Sequence, residues 1–257
     1  MWWLLAIACA HREQADPAAP ILGLVSRADA AWRERSEVGL DAVELALGEA
    51  WQLDPGDPSV RWRLARVGVE RALAAPDPSE RLAGFASARN LALECIEAEP
   101  AFVGERARIG WVGAMAKLPV DRLPCAAWAG VAWTRWLADR GAAASALDLP
   151  VVDALLGVGE ISGQDEVSAH ARAILLAVRP TWDGQDLVEA GRQLERARRG
   201  PGAWVHAVDR LAFAAIPAGD AAVIAELCAW LPTDPVPHGT AADAAARTRG
   251  LALCAQR

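Results

Sequence analysis

Tyrosine is absent from this chain of 257 residues, lysine occurs once, at Lys117, and there are only three phenylalanines. Arginine therefore carries nearly all the positive charge, and twelve tryptophans carry the aromatic content. Arginine over lysine is weak evidence about function, because enrichment in Ala, Arg, Gly and Pro with few lysines is also what a GC-rich genome produces. Acidic residues outnumber basic ones, for a formal net charge of −7. Nucleic-acid affinity comes from neutralising phosphates with Lys and Arg, so no nucleic-acid partner is expected. The one basic cluster, Arg192, Arg196, Arg198 and Arg199, reads as the last turns of a helix, where cations suit the dipole.

Other absences narrow the chemistry. No internal run reaches the roughly 18 apolar residues of a membrane span. There is no Gly-x-Ser-x-Gly, no phosphate-cradling glycine loop and no His-Glu-x-x-His. The four histidines, His11, His170, His206 and His238, stand far apart, and none has metal or triad spacing. A lone histidine on an Ala-rich helix, as at His170, is more often a satisfied core or groove residue than a catalytic one. The acidic run Asp148, Asp153, Glu160, Asp165 and Glu166 crosses a helix end and a loop and reads as solvated. These features point away from an enzyme: no catalytic residue, no metal and no cofactor are expected.

Five cysteines are scattered without a Cys-x-x-Cys pair. Cys95, Cys125, Cys228 and Cys254 lie in Ala-rich or Leu-rich stretches and read as small free hydrophobes. Cys228 and Cys254 in particular are expected to stay unbridged. If the helices 220–231 and 240–255 form an antiparallel hairpin across the Pro-rich loop 232–239, the two cysteines are offset by roughly 16 Å along the helix axes. A bridge needs Cα atoms within about 7 Å. Cys9 is different. It follows the apolar run Trp2-Trp3-Leu4-Leu5-Ala6-Ile7-Ala8, and the chain turns polar at His11-Arg12-Glu13. That pattern is like a bacterial lipoprotein signal, although the run is short and lacks a basic start. Residues 1–9 are read as a signal-like segment ending at the anchor Cys9, residues 10–20 as a tether, and residues 21–257 as one helical-repeat domain.

What is present is helical periodicity. No stretch alternates β-branched residues as a strand would. Pro and Gly punctuate the chain into about a dozen helices of some 10–20 residues. Leu40, Val43, Leu47 and Ala50 are spaced i, i+3, i+7, i+10; so are Phe85, Ala88, Ala92 and Cys95, and Leu187, Ala190, Leu194 and Ala197. Each set forms a narrow apolar stripe ending in a small residue. A helix ending near Pro55 is followed by Leu64-Ala65, and one ending near Pro100 by Ile109-Gly110. That is tetratricopeptide grammar, with an irregular period. The expected fold is all-α, a TPR-like helical-repeat solenoid in a single domain.

The tryptophans concentrate on a helix expected over Cys125 to Arg140. Trp133 and Trp136 are i, i+3 neighbours, while Trp128 points about 140° away from Trp133. Either this helix lies central and packs on both sides, or some of its indoles line a groove for an apolar ligand or partner. The candidate groove residues are Trp128, Trp133, Trp136 and His170.

The order of these features resembles a known family. Leu123-Pro124-Cys125-Ala126-Ala127-Trp128-Ala129-Gly130, then Trp133 and Trp136, is followed by Leu149-Pro150-Val151-Val152-Asp153-Ala154-Leu155-Leu156. Ala169-His170-Ala171, Arg179-Pro180 and Asp183-Gly184-Gln185-Asp186 come next. This order is similar to the T-component family of tripartite ATP-independent periplasmic (TRAP) transporters, the TatT-like lipoproteins, over roughly residues 30–231. Glu160-Ile161-Ser162-Gly163 stands where the family continues through Leu-Asp-Pro, and apolar residues replace a glycine and a tyrosine after His170. The resemblance implies a non-catalytic, lipid-anchored periplasmic protein that partners the transporter's substrate-binding subunit. It also implies a homo-oligomer such as a trimer with apolar clefts, and membrane contact through the lipid anchor alone. Ala10 after Cys9 favours the outer membrane over the inner by family analogy. The alternatives are a generic envelope scaffold with the same anchor and repeats, and, least of all, an enzyme.

Overall fold

The computed structural model describes residues 19–34, 36–141, 146–197, 202–233 and 240–257, with only the backbone of Glu160 and Ala197. Among the described residues, regular secondary structure is entirely helical. Cys9 and most of the expected tether lie outside them; Ala19 and Pro20 already belong to the first helix, α1 (Ala19–Trp32).

Local sequence signals fix the helix starts. Ser36 accepts from Gly39 N and caps α2 (Glu37–Leu53). Three later helices open on an acidic cap followed by proline. Asp57 caps α3 (Pro58–Ala74), Asp77 caps α4 (Pro78–Glu97) and Glu99 caps α5 (Pro100–Ala114). The carboxylate takes N–H groups that the first turn leaves unpaired, and the proline has no N–H to lose there. Two of the three expected stripes are buried, Leu40, Val43, Leu47 and Ala50 on α2 and Phe85, Ala88, Ala92 and Cys95 on α4; in the third, Ala190 and Leu194 are buried, Leu187 is half-buried, and the Ala197 side chain lies outside the described residues.

α2, α3 and α4 pack in succession. The α3–α4 seam is close because Gly68 of α3 faces Ala88 of α4, while Gly84 of α4 faces Ala72 of α3. A Cβ built on Gly84 would lie 2.8 Å from that of Ala72. The second expected large–small pair behaves differently. Ile109 is exposed, and Gly110 breaks α5 with φ +80°, a backbone state L side chains rarely adopt. α5 packs only lightly on α4.

The chain then enters α6 (Leu123–Arg140), which packs on both α3 and α4. Around it lie α7 (Leu149–Gly157), the single turn α8 (Gly159–Ser162) and α9 (Asp165–Val178). α10 (Leu187–Ala197) packs on α9. α11 (Ala203–Asp209) runs into a π-helical stretch, Arg210–Ala215, and a last turn, α12 (Ile216–Ala218). α13 (Ala221–Trp230) follows. α14 (Ala241–Ala255), capped by a Thr240–Asp243 capping box, returns to pack on α3 and α11.

Both expectations about cysteine pairing are overturned. Cys228 and Cys254 form a disulfide with Cα atoms 5.6 Å apart. The hairpin geometry behind the 16 Å offset does not occur. Leu231, at the end of α13, sits against Gly250 far along α14, and Arg247 Nε donates to the Leu231 carbonyl at 3.1 Å. The C-terminal end of α13 thus meets the C-terminal half of α14. Cys95 and Cys125 are also bonded, at a Cα separation of 6.1 Å. The last turn of α4 lies on the first turn of α6, a contact hidden in sequence because α5 intervenes.

Non-reducing peptide mapping should therefore recover Cys95–Cys125 and Cys228–Cys254. The bridges close loops of 30 and 26 residues. Removing either, as Cys95→Ala/Cys125→Ala or Cys228→Ala/Cys254→Ala, should destabilise by about 3–4 kcal/mol through the larger entropy of the unfolded chain. At the α3–α4 seam, Gly84→Leu should cost about 1–3 kcal/mol by overpacking. The same change at Gly104, where a Cβ meets nothing within 4 Å, should cost far less in a thermal melt.

Candidate functional site

α6 brings two distinct arrangements together. The first is a buried polar chain. Arg135 is 7% exposed, on the side of α6 that faces α11. Its Nη1 and Nη2 meet Asp209 Oδ1 and Oδ2, each at 2.8 Å. Such a two-pronged pair is the strongest geometry for a guanidinium and a carboxylate. Asp209 Oδ2 also accepts from His170 Nε2 of α9 at 2.8 Å, and His170 Nδ1 lies 2.7 Å from His206 Nδ1 of α11. The two imidazole rings meet edge to face, 4.1 Å between centroids.

The hydrogen-bond roles follow from the partners. A carboxylate only accepts, so the proton between His170 and Asp209 sits on Nε2. With His170 neutral its Nδ1 carries a lone pair, and His206 donates to it from Nδ1. Each of the two joints at His170 thus holds one proton. Burial pushes the His170 pKa below its ordinary 6.5, more than the Asp209 hydrogen bond and charge raise it. Burial alone would push the Asp209 carboxyl up. The Arg135 charge, with the hydrogen bonds from His170 and Arg135, outweighs it and holds Asp209 well below its ordinary 3.8. The arrangement ties α6, α9 and α11 together through buried, charge-assisted hydrogen bonds. Among the described residues the hydrogen-bond partners of His170 are Asp209 and His206.

The second arrangement is an aromatic–cationic face on α6. Trp133 and Trp136 are half-buried against the core. Arg89 of α4 lies over both rings, with Cζ 5.1 Å from the Trp133 centroid and 5.0 Å from that of Trp136. Arg140, at the end of α6, lies 4.7 Å from the Trp136 centroid. Burial pushes the Arg89 pKa down, partly offset by the charge of Asp148.

The sequence candidates are thus divided. Trp128 belongs to the core, with its Nε1 donating to Gln164 Oε1 at 3.1 Å. Trp133 and Trp136 share a half-exposed face, His170 lies in the buried chain, and Cys9 is outside the described residues. A cavity of about 380 Å³ opens away from α6. Leu187, Gly191 and Arg192 of α10, Arg210 and Ala214 of the π-helical stretch and Val223 of α13 are among its walls. Of the acidic run, Asp153 pairs with Arg179, and Asp165 and Glu166 are exposed in the first turn of α9.

Sequence reasoning missed Arg135, His206 and Asp209. A signal existed. His206 and Asp209 are i, i+3 on a short helix that is otherwise apolar, and Arg135 stands in the apolar run of α6. Charges on a face that must be buried require partners.

Asp209→Ala should destabilise by about 3–5 kcal/mol, because it strands the Arg135 charge in the interior. His170 sets a pH window. Its folded pKa is lowered, so the unfolded chain takes the proton first, and stability falls as pH drops below 6.5. Asp209, held low, adds a second loss below 3.8. Thermal melts between pH 8 and 5 should show the first fall in the wild type and a shallower one in His170→Gln.

No protein-family model matches the chain, and no curated protein is significantly similar to it.

Proposed function

We propose that the protein is a non-catalytic accessory lipoprotein of a TRAP transporter, a TPR-like stack that binds the periplasmic substrate-binding subunit. The observation that carries this reading is the Trp133–Trp136 face. It presents two half-buried indoles on the central helix of the fold, on the stretch through which the family resemblance runs. Large, rigid aromatic side chains at a surface give contact area at low entropic cost. Two disulfides support an extracytoplasmic setting, since such bonds persist in oxidising compartments such as the bacterial periplasm. Anchoring falls to acylated Cys9, with outer-membrane attachment and a small homo-oligomer as further parts of the reading. No helix among the described residues is long and apolar enough to cross a membrane. A generic envelope scaffold would share all of this except the transporter partner.

The test mixes the purified chain with the TRAP substrate-binding subunit of the same organism at concentrations on the order of 10 μM. A complex should form on size exclusion. Trp133→Ala/Trp136→Ala should weaken it at least about tenfold, which is about 1.4 kcal/mol of binding, with a modest change in the melt. Trp128→Ala should instead lose about 3–5 kcal/mol of stability, as expected of a core indole. Absence of a complex between the wild-type proteins overturns the transporter reading. Retention of full membrane binding by Cys9→Ser overturns the anchor.

A further inference from the structure

Arginine and tryptophan are stacked across this molecule, and nearly every stack is anchored. Arg63 and Arg66 lie over Trp62 and Trp32 and are both held by Asp29. Arg61, over Trp51, donates to the Pro55 carbonyl and approaches Glu94 at 3.8 Å. Arg106, over Trp111, pairs with Glu97. Arg247, over Trp204, donates to the carbonyls of Leu231 and Pro232. The α4–α6 face departs from this pattern. Arg89 donates only to the neutral side-chain oxygen of Asn90, and among the described residues neither Arg89 nor Arg140 has a carboxylate within ion-pair distance. In a chain with seven more acidic than basic residues, two guanidiniums around one indole are conspicuous when, among the described residues, the more distant charge of Asp148 on Arg89 stands in place of a direct ion pair.

We infer that Arg89 and Arg140, with the Trp133 and Trp136 rings, form a docking site for an acidic segment of a partner protein. Both guanidinium carbons lie within 5.0 Å of the Trp136 centroid, so they are no more than about 10 Å apart. Acidic side chains on one face of an extended segment, spaced two residues apart, stand about 7 Å from each other and span that distance. The guanidiniums offer donors in fixed forks that match carboxylates, and the indoles keep water from one side of each pair. Arg89, partly desolvated, gains most from a counter-charge. The proposal rests on the reading that the α6 face receives a protein, and it names that protein's chemistry at the contact.

The test uses the full chain and a blocked octapeptide of alternating Glu and Gly, against the same peptide with Gln for Glu, read by tryptophan fluorescence. The Glu peptide should bind at least about tenfold more tightly than the Gln peptide, and its affinity should fall steeply with salt. Arg89→Gln/Arg140→Gln should lose about tenfold. Arg140→Gln alone, at an exposed helix end, should lose several-fold with an unchanged melt, so misfolding is separated from lost recognition. Arg108→Gln, which removes an exposed arginine paired with Glu105, should bind as the wild type does. Equal binding of the two peptides, or undiminished binding by the double variant, overturns the proposal. If the substrate-binding subunit still binds when the Glu peptide does not, the acidic-segment proposal fails and the accessory reading stands. If the Glu peptide binds and the subunit does not, the reverse holds.

Discussion

Twelve of the eighteen residues of α6 are buried, with α3, α4, α7, α8 and α9 packed around the helix. A helix enclosed on so much of its circumference must be built almost wholly from small and apolar residues, and any charge on it needs a partner inside the protein. Ala126, Ala127, Ala129, Gly130 and Ala132 let neighbouring helices approach, and a Cβ built on Gly130 would lie 3.0 Å from Leu156 of α7. Arg135 is the exception that organises the rest. Its burial requires Asp209, Asp209 accepts from His170, and His170 meets His206, so three helices are registered by one ion pair. Breaking such a pair costs far more than its net contribution suggests, because the survivor stays buried and charged.

The unusual composition acquires a physical meaning once Arg and Trp are seen together. Arginine is weakly hydrated and planar, and it stacks on indole faces while its edge donors reach carboxylates. Lysine is a hydrated point charge, and it does this poorly. Stacking covers half-exposed indoles that would otherwise present bare apolar surface, and the carboxylates fix the guanidiniums in place. Asp29 does this for two arginines at once, tying α1 to α3. At the α4–α6 face the stacking is present, and among the described residues neither Arg89 nor Arg140 is held by a carboxylate or by a backbone carbonyl.

The two disulfides act at the places where chain connectivity does least. Cys95–Cys125 joins α4 to α6 across the broken helix α5, and Cys228–Cys254 joins α13 to α14, two helices that otherwise touch lightly. The first reinforces an already extensive α4–α6 contact and the second ties a thin one, and both stabilise by restricting the unfolded chain.

The sequence by itself determined what depends on near neighbours. The all-helical class, the helix starts at the Asp-Pro and Glu-Pro pairs, the buried stripes of α2 and α4 and the extent of α6 follow from periodicity and capping, which act over a few residues. Trp128 as core and Trp133 with Trp136 on a separate face were legible as alternatives, since helix phase fixes the angle between them but not which side is covered. Tertiary structure alone decided the rest. Whether Cys228 could reach Cys254 depended on where along α14 the end of α13 docks, which a short connection constrains weakly. Whether His170 had a partner depended on α11, some 36 residues on in the chain. Helix packing brings those positions together only after the apolar faces have chosen their neighbours, and that choice is a property of the whole core rather than of any segment.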